Sequence, residues 1–272
     1  MIAAEILALV KKGALFVVNH SAGKDSQAML IFLRRWVPAR QLLVVHADLG
    51  EVEWPGNVEH IQRYASDLPF IIAKPVRGFL KMVEDRYARR PDVPSWPSAS
   101  TRQCTSDLKR GPIEREVRRY LLAHPEFEGR VVNCMGMRAA ESPARAKLTT
   151  FKRNNKNSVA GREWYDWLPI HDLSTLEVFA MIAEAGQEAH PIYALGMSRL
   201  SCVFCVMAST ADLSTAARLN PALYVTYVRL ERKTGYSLSM TGKGLEAITG
   251  ISLEEAEAMV QVPEYDLLKL AA

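Results

Sequence analysis

The chain has 272 residues and a formal net charge of +4, with 49% hydrophobic and 24% charged residues. That length fits one large domain or a domain with an appendage, and the composition excludes collagen-like, disordered and disulfide-scaffold classes. No apolar run approaches the ~20 residues of a bilayer span, so a soluble, cytoplasmic protein is expected.

In chain order, Met1 to Lys12 reads as an amphipathic helix, because Glu5 precedes its basic pair and no small-residue cleavage site follows. Ala14–Asn19 is a short apolar run with the pattern of a buried strand. Ser26 to Trp36 has helical periodicity and is closed by Pro38. Leu42–His46, Phe70–Ala73 and Arg130–Met135 supply three more strands, separated by helices near Val58–Ser66, Phe79–Arg89 and Leu108–Ala123. Strands alternating with helices predict an α/β fold, a parallel sheet flanked by helices on both faces. Arg90–Thr101, rich in proline and serine, reads as a loop. After Leu168-Pro169-Ile170 the strand signal stops. Ser174–Ala185 follows as a helix capped by Ser174, with Glu177 three residues on. From Asp212 onward the chain reads as helical, giving a nucleotide-binding domain over 1–200 and a helical region over 201–272.

The small net charge hides an uneven distribution. Residues 74–119 carry 12 Lys/Arg against 6 Asp/Glu, and residues 138–162 carry 7 against 1. Such stretches suit a phosphate-rich ligand or nucleic acid; a solvated basic face gives the same counts.

The sharpest local feature is Ser21-Ala22-Gly23-Lys24-Asp25-Ser26, between the first strand and the first long helix. A strand–loop–helix junction presents backbone N–H groups and the positive helix end to an anion. Gly23 permits close approach, Ser21 and Ser26 add hydroxyls, Lys24 adds charge, and Asp25 could help hold a phosphate-bridging Mg²⁺. The spacing is not that of the G-x4-G-K-[ST] loop. An ordinary helix-capping loop is the plainer alternative.

This hexapeptide resembles the S-G-G-x-D-S signature of the PP-loop ATP pyrophosphatases, in particular the phosphoadenosine-phosphosulfate (PAPS) reductase family. Four further segments resemble that family in its own order. They are His46-Ala47-Asp48-Leu49-Gly50 with Glu53 and Pro55, and Arg102-Gln103-Cys104-Thr105 with Lys109 and Pro112. The others are Gly136-x-Arg138-x-x-Glu141-Ser142-x-x-Arg145 and Leu168-Pro169-Ile170-His171-Asp172. The resemblance spans about residues 15–210 and implies an adenine nucleotide at Ser21, Ala22, Gly23, Lys24, Asp25, Ser26, Asp48, Gly136 and Glu141. ATP with Mg²⁺, the latter on Asp25 and Asp48, is the implied ligand pair. Lys24, Asp25, Arg138 and Arg145 are the implied catalytic set.

Two departures bear on the reaction. True reductases of the family are expected to end in a cysteine-bearing tail, whereas the last cysteine here is Cys205. Lys24, Asp25 and Ser26 keep the form of relatives that cleave ATP. The resemblance therefore implies ATP α-phosphate attack that adenylylates an acceptor for sulfur transfer, as in DNA-phosphorothioation ATPases. A PAPS or adenylylsulfate reductase and a non-enzymatic nucleotide-binding subunit are the alternatives. Implied partners are nucleic acid at 74–119 and 138–162, a cysteine desulfurase or other sulfur donor, and a second copy in a homodimer, with no membrane.

Cys104, Cys202 and Cys205 match positions that hold a [4Fe–4S] cluster in iron–sulfur relatives, and thiolates suit such clusters or zinc. Zinc with His190 or His124 and unligated thiols are the other readings; Cys134, inside a strand, reads as a small buried hydrophobe. Arg138, Glu141 and Arg145 share one face if their segment is helical. Asp48 ends a strand where open sheets bind ligands, or forms a turn before Gly50. His20 and His46 read as core histidines. Trp164-Tyr165-Asp166-Trp167 reads as helix-packing aromatics, with base stacking as the alternative.

Overall fold

The computed structural model describes residues 3–261. In chain order its elements are α1 (Ala4–Lys11), β1 (Leu15–Asn19), α2 (Lys24–Arg34), β2 (Leu42–Ala47), α3 (Asn57–Ala65) and β3 (Phe70–Ala73). Then come α4 (Phe79–Arg89), α5 (Gly111–Ala123), β4 (Arg130–Cys134), α6 (Pro143–Ala146), β5 (Phe151–Arg153) and β6 (Glu163–Trp167). The rest is helical: α7 (Thr175–Glu184), α8 (Thr210–Leu219), α9 (Pro221–Thr234), α10 (Leu245–Thr249) and α11 (Leu253–Val260). The helical expectation for 262–272 lies outside the described residues.

The chain forms two compact units assembled from interleaved stretches: residues up to 47, 56–73 and 112–190 in one, and 48–55, 74–111 and the chain from 191 onward in the other. They do not coincide with a division at residue 200. The reason is the second unit's core, in which Leu49, Val52 and Trp54 share one apolar cluster with Phe79, Leu108, Phe204 and Tyr227. Short segments after β2 and β3 thus complete a core that the C-terminal helices leave unfinished.

The first unit holds a six-stranded sheet of order β3-β2-β1-β4-β6-β5. Every strand pair is parallel except β5–β6, which is antiparallel. β2 is buried along its whole length and β1 nearly so, as unbroken apolar runs at the centre of a two-sided parallel sheet must be. One face packs Leu15, Val17, Leu43, Val45 and Val131 on Val117 and Leu121 of α5. α2 and α7 pack against each other, and Phe16 and Phe32 meet the Trp167 ring edge-on.

The aromatic run 164–167 forms strand β6, an element the sequence pattern does not announce, and its tryptophans pack against helices as expected: Trp164 shares an apolar cluster with Val117 and Leu121 of α5, and Trp167 meets Phe32 of α2. Alternation along the strand buries Trp164 and Trp167 on opposite faces, while Tyr165 stacks on Phe151 of β5. The polar residues between the tryptophans obscured this. They form an amide ladder across the strands: Asn19 Nδ2 donates to Asn133 Oδ1 (2.7 Å), Asn133 Nδ2 to Asp166 Oδ1 (2.9 Å), and Asn154 Nδ2 to Asp166 Oδ2 (2.9 Å). Buried polar groups paired in this way pin strand register.

The second unit is helical apart from its loops. α9 carries the central aromatic, Tyr227, stacked on Trp96 at 5.6 Å and packed on Phe204 at 5.0 Å. Residues 90–101 have no helix or strand, as their composition predicts. Among the described residues no helix is long and apolar enough to cross a membrane.

Candidate functional site

β1 and β4 are neighbours, and from them the order runs outward in opposite directions, to β2–β3 and to β6–β5. Loops leaving adjacent strands at such a reversal diverge and open a crevice at the carboxyl ends, where open α/β sheets bind ligands. The segments 20–26 and 135–145 are those two loops.

The first loop starts α2 at Gly23, whose extended backbone (φ −76°, ψ 156°) supplies no side-chain cap. An uncapped helix start points backbone N–H groups and the positive dipole end at the crevice. The loop is held from within. Ser26 Oγ donates to Gly23 O (2.8 Å) and accepts from Ser21 N–H (3.1 Å). Ala22 N–H donates to His20 Nδ1 (3.1 Å), which fixes the His20 tautomer with its proton on Nε2. Ala22 is buried and left-handed at φ 64°, a conformation costing an alanine about 1–2 kcal/mol. That explains why glycine is the usual residue there.

The second loop closes on the first. A Cβ on Gly136 would lie 2.9 Å from the Asp25 carbonyl oxygen and 3.2 Å from Ser26 N. Only a glycine lets the two backbones meet. Arg138 is 3% exposed. Its Nε–H donates to Asp25 Oδ1 (2.6 Å), Nη1 to Leu173 O (3.0 Å) and Nη2 to Thr175 Oγ1 (3.2 Å). Asp25 Oδ2 lies 3.4 Å from Lys24 Nζ, and the Lys24 ammonium sits 5.9 Å from the centroid of the Phe179 ring. The structure therefore brings Lys24, Asp25 and Arg138 into one ion-pair chain.

Glu141 accepts from the Arg138 backbone N–H (2.8 Å) and pairs with Arg145. These three residues do not share one helix face, contrary to the spacing argument. Residues 139–141 form a 3-10 turn, Ser142 is fully extended at φ −173°, and α6 starts anew behind Pro143. Proline favours the first helical position, so the segment breaks there. His171, buried beside α6, bonds the Arg145 carbonyl through Nε2 (3.0 Å), a contact that raises its pKa. Thr175 and His171 contribute polar contacts that sequence spacing did not flag.

Asp48 belongs to the second unit. Its Oδ1 accepts from Gly50 N–H (2.8 Å) and its Oδ2 lies 3.5 Å from Lys74 Nζ, the turn-forming geometry. Both carboxylates expected to hold Mg²⁺ are thus engaged by cations or backbone.

Cys104, Cys202 and Cys205 all lie in the second unit. Burial pushes the Cys202 thiol up to about 11, against the opposing pull of the Lys109 ammonium. Burial and then Cys205 raise Cys104. Lys109 is raised in turn, by Cys202 above all, with Glu53, Cys205 and Cys104 adding to it. Among the described residues no group of three or more His, Cys, Asp or Glu side chains is placed to hold a metal ion. This placement gives no support to the expected [4Fe–4S] cluster or to zinc. His124 stacks on Tyr120, and His190 packs on His60. Cys134 is fully buried in β4, as expected.

Behind the first loop lies a buried polar cluster. His60 Nε2–H donates to Gln27 Oε1 (3.1 Å), and Gln27 Nε2 donates to Gln187 Oε1 (3.0 Å). Burial drives His20 down to about 3, aided by His60 and His46, and drives His60 and His190 to about 4. All three are neutral when folded. Below about pH 6.5 the unfolded chain takes up protons that the folded chain refuses, so stability falls on acidification. We expect a loss of about 1.4 kcal/mol per pH unit for each histidine between pH 6.5 and their folded values, partly offset by His171, whose raised pKa acts in the opposite sense. Urea denaturation at pH 7.5, 6.0 and 5.0 measures this; a flat profile excludes the buried neutral cluster.

The sequence profile of the phosphoadenosine phosphosulfate reductase domain matches residues 16–208. The chain is 29% identical over 119 residues to an uncharacterized 37.8 kDa protein of Escherichia phage 186, a match covering 44% of this chain and 34% of that one. It is 24% identical over 222 residues to an uncharacterized protein of Methanocaldococcus jannaschii, covering 80% of this chain and 48% of that one. The chain thus spans about a third and about half of these relatives. Among solved structures, the phosphate complex of phosphoadenylyl-sulfate reductase from Candida auris is similar with a TM-score of 0.43 and 15% identity. That likeness covers 68% of this chain and 80% of that one.

Proposed function

The chain belongs to the phosphoadenosine phosphosulfate reductase domain family, and from that premise we propose that it is an adenine-nucleotide enzyme that cleaves ATP between the α- and β-phosphates. In this reading an acceptor oxygen attacks the α-phosphorus, pyrophosphate leaves, and the acceptor is adenylylated. The terminal sulfur of a persulfide, delivered by a donor of the cysteine desulfurase class, then displaces AMP from the activated atom, and a second thiol cleaves the resulting S–S bond, leaving the thiolated acceptor and a disulfide. Nucleic acid is the acceptor class that the basic stretches favour.

One observation carries the reading: an uncapped helix start, Lys24 and the Asp25–Arg138 pair occupy the crevice where the strand order reverses. Backbone N–H groups at 23–26 would receive the β- and γ-phosphates, and Lys24 would follow the charge onto departing pyrophosphate. Arg138 is 3% exposed and directs each of its three nitrogens at Asp25, Leu173 or Thr175, so its proposed role is to position Asp25. Arg145, about a quarter exposed, is the arginine with room to reach a phosphate. Mg²⁺, when bound, would neutralise phosphate charge, held chiefly by the phosphates and water.

Incubation with ATP labelled at the α- and γ-positions tests this. AMP or an adenylylated acceptor, with labelled pyrophosphate, is the expected outcome, and Lys24→Ala lowers its rate about 10²-fold or more. ADP with orthophosphate, or sulfite formed from PAPS with thioredoxin, would overturn the reading.

A further inference from the structure

In the second unit, Arg77, Arg86, Arg89 and Arg90 line a cavity of about 250 Å³ together with Met82, Val93 and Gln103. Met82, Arg86 and Arg89 follow the i, i+4, i+7 spacing of one face of α4. Arg90 comes from the end of that helix, and Gln103 caps the π-helical segment Cys104–Arg110 that runs into α5.

Guanidinium groups gathered around one space repel each other, so their carboxylate partners decide what the cavity lacks. Arg77 pairs with Asp85 (3.3 Å) and Arg90 with Asp92 (2.9 Å). Arg86 donates only to the neutral Gln103 amide, at 3.3 Å. Among the described residues neither Arg86 nor Arg89 has a carboxylate partner. Both lie in the last turn of α4, where the helix dipole favours a cation by about 0.3–1 kcal/mol. One well-placed cation would meet that need; four arginines around a shared cavity exceed it.

We propose that this arginine-lined cavity binds successive backbone phosphates of a nucleic-acid strand, with Arg86 and Arg89 as the principal contacts. A guanidinium fork meets phosphate oxygens bidentately, which suits a repeated phosphate better than an ammonium does. The lining has only two apolar side chains, Met82 and Val93, and no aromatic ring. It therefore offers charge without a platform for a base, the signature of backbone rather than base recognition. The stretch 74–111 of the same unit carries 9 Lys/Arg against 4 Asp/Glu, an excess of the same sign. The inference rests on the proposed function in that nucleic acid is the acceptor class named there.

Fluorescein-labelled single-stranded and duplex 20-mers, titrated with the full chain from 50 to 200 mM salt and followed by anisotropy, provide the test. Arg86→Glu/Arg89→Glu should weaken binding at least tenfold. Arg86→Gln/Arg89→Gln should reduce the slope of log K against log salt by about 1.4–1.8, the loss of two phosphate contacts. Thermal unfolding of each variant separates a folding defect from lost contacts. Wild-type affinity and salt slope in both variants, absence of oligonucleotide binding by the parent chain, or binding of inorganic phosphate alone would each overturn the proposal. Pyrophosphate release from ATP, measured for each chain in the presence of the same oligonucleotides, keeps the two readings apart. Release that persists with arginine-independent binding sinks only the cavity. No release alongside arginine-dependent binding sinks only the ATP reaction.

Discussion

Gly136→Ala is expected to abolish high-affinity nucleotide binding while costing about 1–3 kcal/mol of stability, the range for overpacking a tight contact. The added methyl would stand 2.9 Å from the Asp25 carbonyl oxygen and 3.0 Å from its carbon. Those are backbone atoms of the helix start, which cannot swing aside as a flexible side chain could. Relief requires the second loop to withdraw, which carries Arg138 away from Asp25, or the Ser21–Ser26 loop to shift. Isothermal titration with a non-hydrolysable ATP analogue and urea denaturation measure the two effects. An alanine variant with parental affinity and stability would show that the loops do not meet as described.

The second large effect concerns Arg138. Arg138→Ala should cost about 3–5 kcal/mol, as breaking a buried charge pair does when one partner is left behind. The Leu173 carbonyl and Asp25 carboxylate would lose their donors. Arg138→Lys preserves the charge but not the fork, so it should recover only part of the loss. If Arg138 acts by positioning Asp25, the two are energetically coupled. Asp25→Asn/Arg138→Ala should then be scarcely less stable than Arg138→Ala alone, with a coupling energy of about 1–3 kcal/mol in the cycle. Strict additivity in urea denaturation would contradict the pair. A pyrophosphate-release rate that falls in Arg138→Lys with an unchanged KM for ATP would indicate that the effect passes through Asp25.

Much of the fold was legible because its signals are local. Four strands and the helices over 57–65, 79–89 and 175–184 follow from apolar runs, periodicity and caps that each occupy a few neighbouring residues. The box at Ser174 and Glu177 forms as its spacing implies. β5 and β6 escaped notice because Asp166 and Tyr165 interrupt the apolar pattern for reasons visible only across the sheet. The i, i+3, i+7 reading of Arg138, Glu141 and Arg145 failed because Ser142 and Pro143 restart the helix between them.

The sequence by itself determined the parallel α/β sheet, the strand–loop–helix junction at Ser21–Ser26, and the identity of Lys24, Asp25, Gly136 and Arg138 as residues of interest. Tertiary structure alone decided what those residues touch. Asp25 and Arg138 are 113 positions apart, and no periodicity in the chain reports on a contact at that separation. The same holds for the electrostatic coupling of Lys109 to Cys202 and for the segments 48–55 and 74–111 that complete the second core. Local patterns arise from backbone geometry, which every short stretch carries within itself. Pairing of buried charges, close approach of two backbones and coupling of a lysine to a distant thiol depend on where distant elements come to rest, and only the packed chain specifies that.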